Sequence, residues 1–147
     1  MVMVWRSLAA IWMLPSILVV WLFYLLPLLA FGYVKWTGFV EPWVAELRLS
    51  RDDNWYTSLW VGWAGFSAPC ALILNHTAVN DEDVRQHELR HCAQQRVLGV
   101  LFYPVYGAIW LAVAVAAWLG LTKRHPYRDH PLERDARAYA SRKIQGS

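Results

Sequence analysis

The sequence has little charge for its length, and this shortage is the first guide to its class. Charged residues make up 17% of the 147-residue chain and hydrophobic residues 57%, whereas typical soluble domains are about 25% charged. Such a high apolar content rules out intrinsic disorder. Two cysteines are too few for a disulfide scaffold. A net charge of +3 without a recognition motif argues against nucleic-acid binding, which leaves a small membrane-associated protein.

Charge is absent altogether from the first long apolar run, Ser7–Val34. A membrane-spanning helix needs about 20 apolar residues, and tryptophan and tyrosine flank the run at both ends, as interfacial anchors do. A cleaved signal peptide has an apolar core of about 7–15 residues and a small-residue cleavage site, and neither fits. The run predicts a retained transmembrane anchor over residues 7–34, followed by one domain over residues 35–147.

A second uncharged run, Val97–Thr122, lies between Arg96 and Lys123 and passes the same length test. Pro104 and Gly107 lie near its first third, and both residue types interrupt helices. The run therefore predicts a bent or re-entrant apolar segment that interrupts the domain.

Three shorter segments have the composition or alternation of β-strands. They are Trp43–Leu49, Trp55–Trp63 and Cys70–Thr77. We expect them to pair in one short sheet, so the predicted fold class is α+β.

An HExxH motif, formed by His87, Glu88 and His91, follows the last of these segments. Asn80 or Asp81 can cap a helix here, with acidic residues favourable in its first turn. Residues four apart share a helix face, so both imidazoles can bind one Zn²⁺ ion. Glu88 lies about 100° away around the helix, where it can take a proton from a zinc-activated water and pass it to a leaving amine.

A catalytic zinc ion usually has three protein ligands, and Glu133 is the best candidate for the third. Pro131 suits the first turn of a helix, with Asp129 or His130 as its cap. Ala136 and Ala140 share a face with Glu133 and allow a close approach to the HExxH helix. The arginines expected to point elsewhere are Arg134 and Arg137. Weaker candidates for the third ligand are His125, His130 and Asp129.

Together, the strand, the HELRH helix and the downstream glutamate resemble the gluzincin zinc metallopeptidases over residues 70–140. The resemblance implies a minimal zincin-like domain in which Cys70–Thr77 is the edge strand that binds substrate. It also implies that Asp135 is the acidic residue that supports a zinc-bound histidine. The apolar segment between the HExxH motif and Glu133 is similar to those of the heat-shock and CAAX-processing membrane gluzincins. Site-2-type intramembrane proteases carry HExxH within a spanning helix, whereas Asp81–Arg90 is highly charged.

The second apolar run limits the possible topologies. If Val97–Leu121 crossed the bilayer once, the two histidines and Glu133 would lie about 30 Å apart on opposite sides. The run is too short for two full crossings. Three arrangements remain: Glu133 is not a ligand, the run is a re-entrant or interfacial hairpin, or it packs within the domain. We expect that it does not span as one straight helix.

Other residues have subordinate roles in this hypothesis. Tyr127 is a candidate to stabilise the oxyanion of a tetrahedral intermediate, and Tyr139 is a weaker one because it faces away from Glu133. Cys70 and Cys92 are expected to pack in the core. The basic residues after Leu121 favour a cytoplasmic location for the domain.

The leading hypothesis is a membrane-anchored zinc metalloendopeptidase that binds peptide or protein substrates at the bilayer surface. Its alternative is a non-catalytic membrane adaptor or assembly protein with a structural or vestigial metal site. A transport protein fits less well, because one spanning helix without ionisable residues makes no pathway.

Overall fold

The structure is a computed structural model that describes residues 2–50, 55–59 and 62–146. These residues form an α+β fold, as predicted. The helices are α1 (Val2–Val20), α2 (Leu26–Ala30), α3 (Trp55–Ser58), α4 (Glu82–Leu98), α5 (Phe102–Trp118) and α6 (Pro131–Gln145). The strands are β1 (Val34–Glu41), β2 (Val44–Leu49), β3 (Gly65–Ala68) and β4 (Ala71–Leu74).

The described strands form one mixed sheet in the order β1-β2-β4-β3. The outer pairs, β1 with β2 and β3 with β4, are antiparallel, while β2 and β4 pair in parallel. Strand β4 therefore lies in the interior of the sheet, and β3 forms one edge.

Helices pack against both faces of the sheet. Alternate residues of a strand point to opposite faces, and β4 has apolar residues at successive positions, so both of its faces need cover. Leu25 and Leu28 pack with Ile73 on one face, and the Trp21 indole nitrogen donates a hydrogen bond to the Pro69 carbonyl 2.9 Å away. On the other face, buried Cys92 of α4 packs with strand residues that include Leu72. Cys92 is thus a packing residue, as expected, whereas Cys70 is half-buried in the turn between β3 and β4.

The strand predictions were partly right. Trp43–Leu49 is confirmed as β2, and Cys70–Thr77 contains the shorter β4. The prediction over Trp55–Trp63 was wrong at its start, where the chain forms the short helix α3, and residues 60 and 61 lie outside the described residues. The Tyr56 ring is buried and stacks on Tyr33 at a centroid distance of 5.8 Å, so packing of this aromatic ring overrides the alternating pattern.

The first apolar run forms a continuous helix that ends earlier than predicted. It continues from α1 through a π-helical stretch, Trp21–Leu25, and ends with α2 at Ala30. Gly32 then adopts a left-handed φ of 73°, which commonly ends a helix, and Val34 already begins β1. Residues Ile11–Ala30 are long and apolar enough to cross a membrane.

The second apolar run bends in a different place from the one predicted. The bend is a 3-10 turn, Gly99–Leu101, between α4 and α5. Gly99 has a φ of 56°, and a Cβ atom there would lie 2.2 Å from the Trp12 indole nitrogen. Pro104 causes no break, because it lies in the first turn of α5, where a backbone N–H would have no partner within the helix. The helix from Glu82 to Trp118 is also long and apolar enough to span a membrane.

Candidate metal centre

Helix α4 begins at one of the two residues predicted to cap it. The Asp81 side chain accepts hydrogen bonds from the backbone nitrogens of Asp83 and Val84, at 3.0 and 3.3 Å. This cap satisfies two donors that have no partner within the helix. It fixes the helical register in which His87 and His91 lie one above the other.

Helix α6 is capped by His130, the second of its two predicted caps. His130 Nδ1 accepts a hydrogen bond from the Leu132 backbone nitrogen at 3.3 Å, so Nε2 carries the proton and donates to the Tyr106 carbonyl at 3.1 Å. Both ring nitrogens of His130 are therefore in use. His125 lies in an exposed turn, where its Nδ1 accepts from the Tyr127 and Arg128 backbone nitrogens. Neither histidine is placed to bind a metal with the HExxH motif.

The structure brings His87, His91 and Glu133 together in a group that could hold a metal ion. The two histidine Nε2 atoms lie 3.1 Å apart. Glu133 Oε2 lies 3.2 Å from His87 Nε2, and Glu133 Oε1 lies 3.2 Å from His91 Nε2. Three donor atoms from two helices thus converge, although 42 positions separate Glu133 from the nearer histidine in the sequence.

Glu133 reaches this position because α6 presents small residues to α4. Ala136 and Ala140 are fully or almost fully buried, and Glu133 is 4% exposed. Burial alone would raise the pKa of the Glu133 carboxyl, but the contacts with His87 and His91 outweigh burial and hold the pKa below its ordinary value. The carboxyl is therefore ionised, which is the form that binds a cation.

A hydrogen-bond chain orients the ring of His91. Gln94 Nε2 donates to the Leu132 carbonyl at 3.0 Å and to Asp135 Oδ2 at 2.8 Å. Both partners are acceptors, so the amide oxygen of Gln94 faces His91 Nδ1, 2.8 Å away. Nδ1 must then carry a proton, so Nε2 is the ring nitrogen that faces the site and is available to a metal ion.

Asp135 anchors this chain at its outer end. The Arg90 Nε and Nη2 atoms donate to its two carboxylate oxygens at 2.7 and 3.2 Å. The hydrogen bond from Arg90 is the main cause that lowers the pKa of Asp135. The structure therefore places Asp135 one amide group away from His91, which is consistent with the supporting role expected for it.

The negative charge of Glu133 needs a cation to balance it within this group. Burial alone would lower the pKa of His91, but the hydrogen bond and negative charge of Glu133, whose Oε1 lies 3.2 Å from Nε2, outweigh burial and raise the pKa. A proton on Nε2 can therefore serve as that cation when no metal is bound. Glu133 Oε2 is also buried without a hydrogen-bond partner among the described residues, which costs free energy. A metal ion between the three side chains would take the place of that proton and give Glu133 Oε2 a partner.

Glu88 lies beside the group and does not belong to it. Its side chain is 7% exposed and contacts the edge strand β3, where Ser67 hydrogen-bonds to the carboxyl. A Cβ atom on Gly65 would lie 2.8 Å from Glu88 Cγ, so the strand backbone and this side chain are in close contact. Burial is the main cause that raises the pKa of Glu88.

This contact yields a prediction for Gly65→Ala. The added methyl group should displace the Glu88 side chain while leaving the three donor groups in place, because the three atoms nearest to it all belong to Glu88. We expect weaker hydrolysis with unchanged metal affinity, measured by peptide cleavage and by chelator competition. Gly107→Ala is the matched control, since a Cβ atom at Gly107 meets nothing within 4 Å. Loss of metal in Gly65→Ala would contradict this separation of roles.

Two tyrosines lie near Glu133, and sequence reasoning identified only one of them. Tyr127 is 47% exposed, and burial, followed by the negative charge of Glu133, raises its pKa to about 12. Tyr106, which was missed, donates a hydrogen bond from its hydroxyl to Glu133 Oε1 at 2.9 Å. Its ring stacks on His130 with centroids 4.1 Å apart. Only the return of the chain after α5 creates this contact, so the local pattern around Tyr106 contains no signal for it.

The orientation expected for Arg137 was wrong. Its Nη1 atom lies 3.8 Å from Glu133 Oε2, because residues four apart share a helix face. Its guanidinium group also hydrogen-bonds to the Arg128 carbonyl. The positive charge of Arg137 therefore lies next to the three converging donor groups, on the side of α6.

Comparisons with known proteins provide no family for the chain. No protein-family model matches it, and neither a curated protein nor a solved structure matches it significantly.

Proposed function

We propose that this protein is a membrane-anchored zinc metalloendopeptidase of the gluzincin type. The observation that carries the proposal is the convergence of two HExxH imidazoles with one carboxylate, next to the buried acid of the same motif. The proposal assigns two roles to different residues. His87, His91 and Glu133 can bind a metal, whereas Glu88 can transfer a proton.

The donor set favours zinc over other common ions. Two imidazole nitrogens and one carboxylate are a ligand set of catalytic zinc sites, which keep a fourth position open. A tetrahedral ion with bonds of about 2.0–2.1 Å separates its ligand atoms by roughly 3.3 Å. The observed separations of 3.1–3.2 Å are close to this value. Magnesium and calcium prefer sites made of oxygen donors.

When bound, zinc supplies a Lewis acid that polarises the scissile carbonyl and makes water acidic near neutral pH. The chain supplies the proton transfer. Glu88 is held against Gly65 and Ser67, where its carboxylate can accept the proton of the attacking water. It can then deliver that proton to the departing amine, so the same group acts first as base and then as acid. The Tyr127 hydroxyl is the candidate to stabilise the developing oxyanion, because the Tyr106 hydroxyl already donates its one proton to Glu133 Oε1.

The strand that was expected to bind substrate is a different one. Cys70–Thr77 was predicted to be an edge strand, but β4 has a partner on each side. The edge next to Glu88 is β3. We therefore assign substrate binding to β3, where an extended peptide can add to the sheet through backbone hydrogen bonds.

The membrane location is the other part of the proposal. Residues Ile11–Ala30 would anchor the protein in the bilayer, and one side of this helix packs against the sheet. The basic residues after Leu121 favour a cytoplasmic location for the metal centre.

The proposal is tested by metal content and metal dependence. The full chain is purified in detergent, its metals are measured by elemental analysis, and cleavage of a mixed peptide library is followed by mass spectrometry. We expect about one zinc per chain, as a three-ligand site requires, and cleavage that a chelator abolishes and added zinc restores. Bound zinc without cleavage would favour the adaptor alternative. Absence of zinc after loading under reducing conditions would overturn the proposal.

A further inference from the structure

Helix α5 is a large apolar feature that neither the proposed chemistry nor the proposed N-terminal anchor uses. Its outward stripe is exposed and runs along the whole helix. The members of this stripe are Tyr103, Trp110, Leu111, Val115 and Trp118. Trp118 is 85% exposed, and the apolar surface continues to Leu121, which is 77% exposed. So large a contiguous apolar surface marks an interaction site.

The course of the chain after α5 argues against a bilayer-crossing position of this helix. Its last residue, Trp118, lies about 18 Å along the axis from Tyr106, at 1.5 Å per residue. Twelve residues later, His130 stacks on Tyr106 and bonds to its carbonyl. Residues 119–130, which we call the return segment, therefore run back along α5.

The return segment is unsuited to a hydrocarbon environment. Residues 121–125 form neither helix nor strand, so those of their backbone groups that bond to no protein group need water as a partner. The segment also carries exposed Lys123, Arg124 and Arg128. No ion pair joins any of these three to an acidic side chain in the described part of the chain. If α5 were inserted upright, these cations would be pulled into the membrane with it, at a high cost.

We propose that α5 lies in the plane of an anionic bilayer surface, with its outward stripe toward the acyl chains and the return segment toward water. An in-plane helix needs one apolar and one cationic side. Here α5 supplies the first and the return segment supplies the second. The unpaired cations select a surface rich in anionic headgroups. Aromatic residues along the stripe suit the interfacial depth.

This placement of α5 determines how far the candidate metal centre lies from the bilayer surface. The ring of Phe102, the first residue of α5, lies 6.3 Å from that of His91, and Tyr106 bonds to Glu133. The three donor groups therefore lie at the level of the headgroups. Contact of α5 with lipid does not require peptide hydrolysis, so the two proposals are tested independently.

The test uses the full chain in vesicles of phosphatidylglycerol with phosphatidylcholine. Single cysteines at Leu111, Trp118 and Lys123 are introduced into a Cys70→Ser parent and carry a nitroxide label. The unlabelled parent serves as control, because its remaining Cys92 is buried. Power saturation with oxygen and with a water-soluble nickel complex reports the depth of each label.

We expect shallow and similar depths at residues 111 and 118, and contact with nickel at residue 123. Replacing Lys123, Arg124 and Arg128 with glutamine should lower the ratio of oxygen accessibility to nickel accessibility at residue 118 severalfold in vesicles that contain phosphatidylglycerol. The same ratio should stay unchanged in vesicles of phosphatidylcholine alone. Steadily increasing depth from residue 111 to 118, or labelling of cysteines at residues 82 and 123 from opposite sides, would show a crossing helix and overturn the proposal. Nickel contact at residues 111 and 118 would also overturn it.

Discussion

Replacing Glu88 with glutamine should abolish peptide hydrolysis while the metal stays bound. Glutamine fills the same space beside Gly65 but cannot accept a proton from water. General acid–base catalysis typically contributes about 10²–10⁴-fold to a rate, so we expect the cleavage rate to fall by that factor. The metal should remain, because Glu88 is not one of the three converging donor groups. Cleavage rate and zinc content are measured on the same preparation.

Glu82→Gln is the matched control for this substitution. Glu82 is on the same helix and its side chain is 52% exposed, so the change removes the same charge away from the metal centre. Cleavage and zinc content should both stay at the wild-type level. Wild-type cleavage by Glu88→Gln would contradict the role of Glu88 as general base, whereas loss of zinc in that variant would make Glu88 a ligand.

The second large effect is expected for Glu133→Ala, which should lose zinc. Glu133 supplies the carboxylate of the donor set, and its removal leaves two imidazoles on one helix. Replacement of a group that only supports a ligand typically weakens metal binding by about 10–100-fold. Removal of the ligand itself should exceed that range, as measured by competition with a chromophoric chelator. Glu133→Gln tests the same loss with the side-chain volume kept.

A graded series makes this prediction specific. Asp135→Asn changes the group that holds Gln94 toward His91, so its effect should fall within the range of about 10–100-fold. Arg134→Gln alters an exposed neighbour and should leave zinc affinity unchanged. Equal zinc affinity in Glu133→Ala and Arg134→Gln would exclude Glu133 as a ligand. An Asp135→Asn affinity at the wild-type level would exclude the orienting chain.

The parts of the site that the sequence predicts are those that depend on local rules. Helical spacing alone places His87 and His91 on one face. Capping preferences and Pro131 limit the two helix starts to Asn80 or Asp81 and to Asp129 or His130, and the structure selects Asp81 and His130. Glu133 was found by a similar argument, from its position in the first turn of a helix with alanines on the same face. Each of these inferences uses residues within a few positions of one another.

The remaining parts depend on contacts between distant segments. The parallel pairing of β2 with β4 moves Cys70–Thr77 from the edge to the interior of the sheet, and no local pattern distinguishes the two positions. Tyr106 bonds to a carboxylate 27 positions later only because the return segment retraces α5. Gln94 acts through its amide, a group without a sequence motif of its own.

The distance in sequence between the metal donors has a consequence for how the fold closes. His91 and Glu133 are the two ends of a long loop that contains α5 and the return segment. Bringing such ends together has an entropic cost that grows with loop length, and a metal that binds only the closed form adds its binding free energy to folding. If a metal binds as proposed, its removal should therefore loosen the packing of α6 on α4. Amide hydrogen exchange in α6 should then rise before the sheet loses its protection.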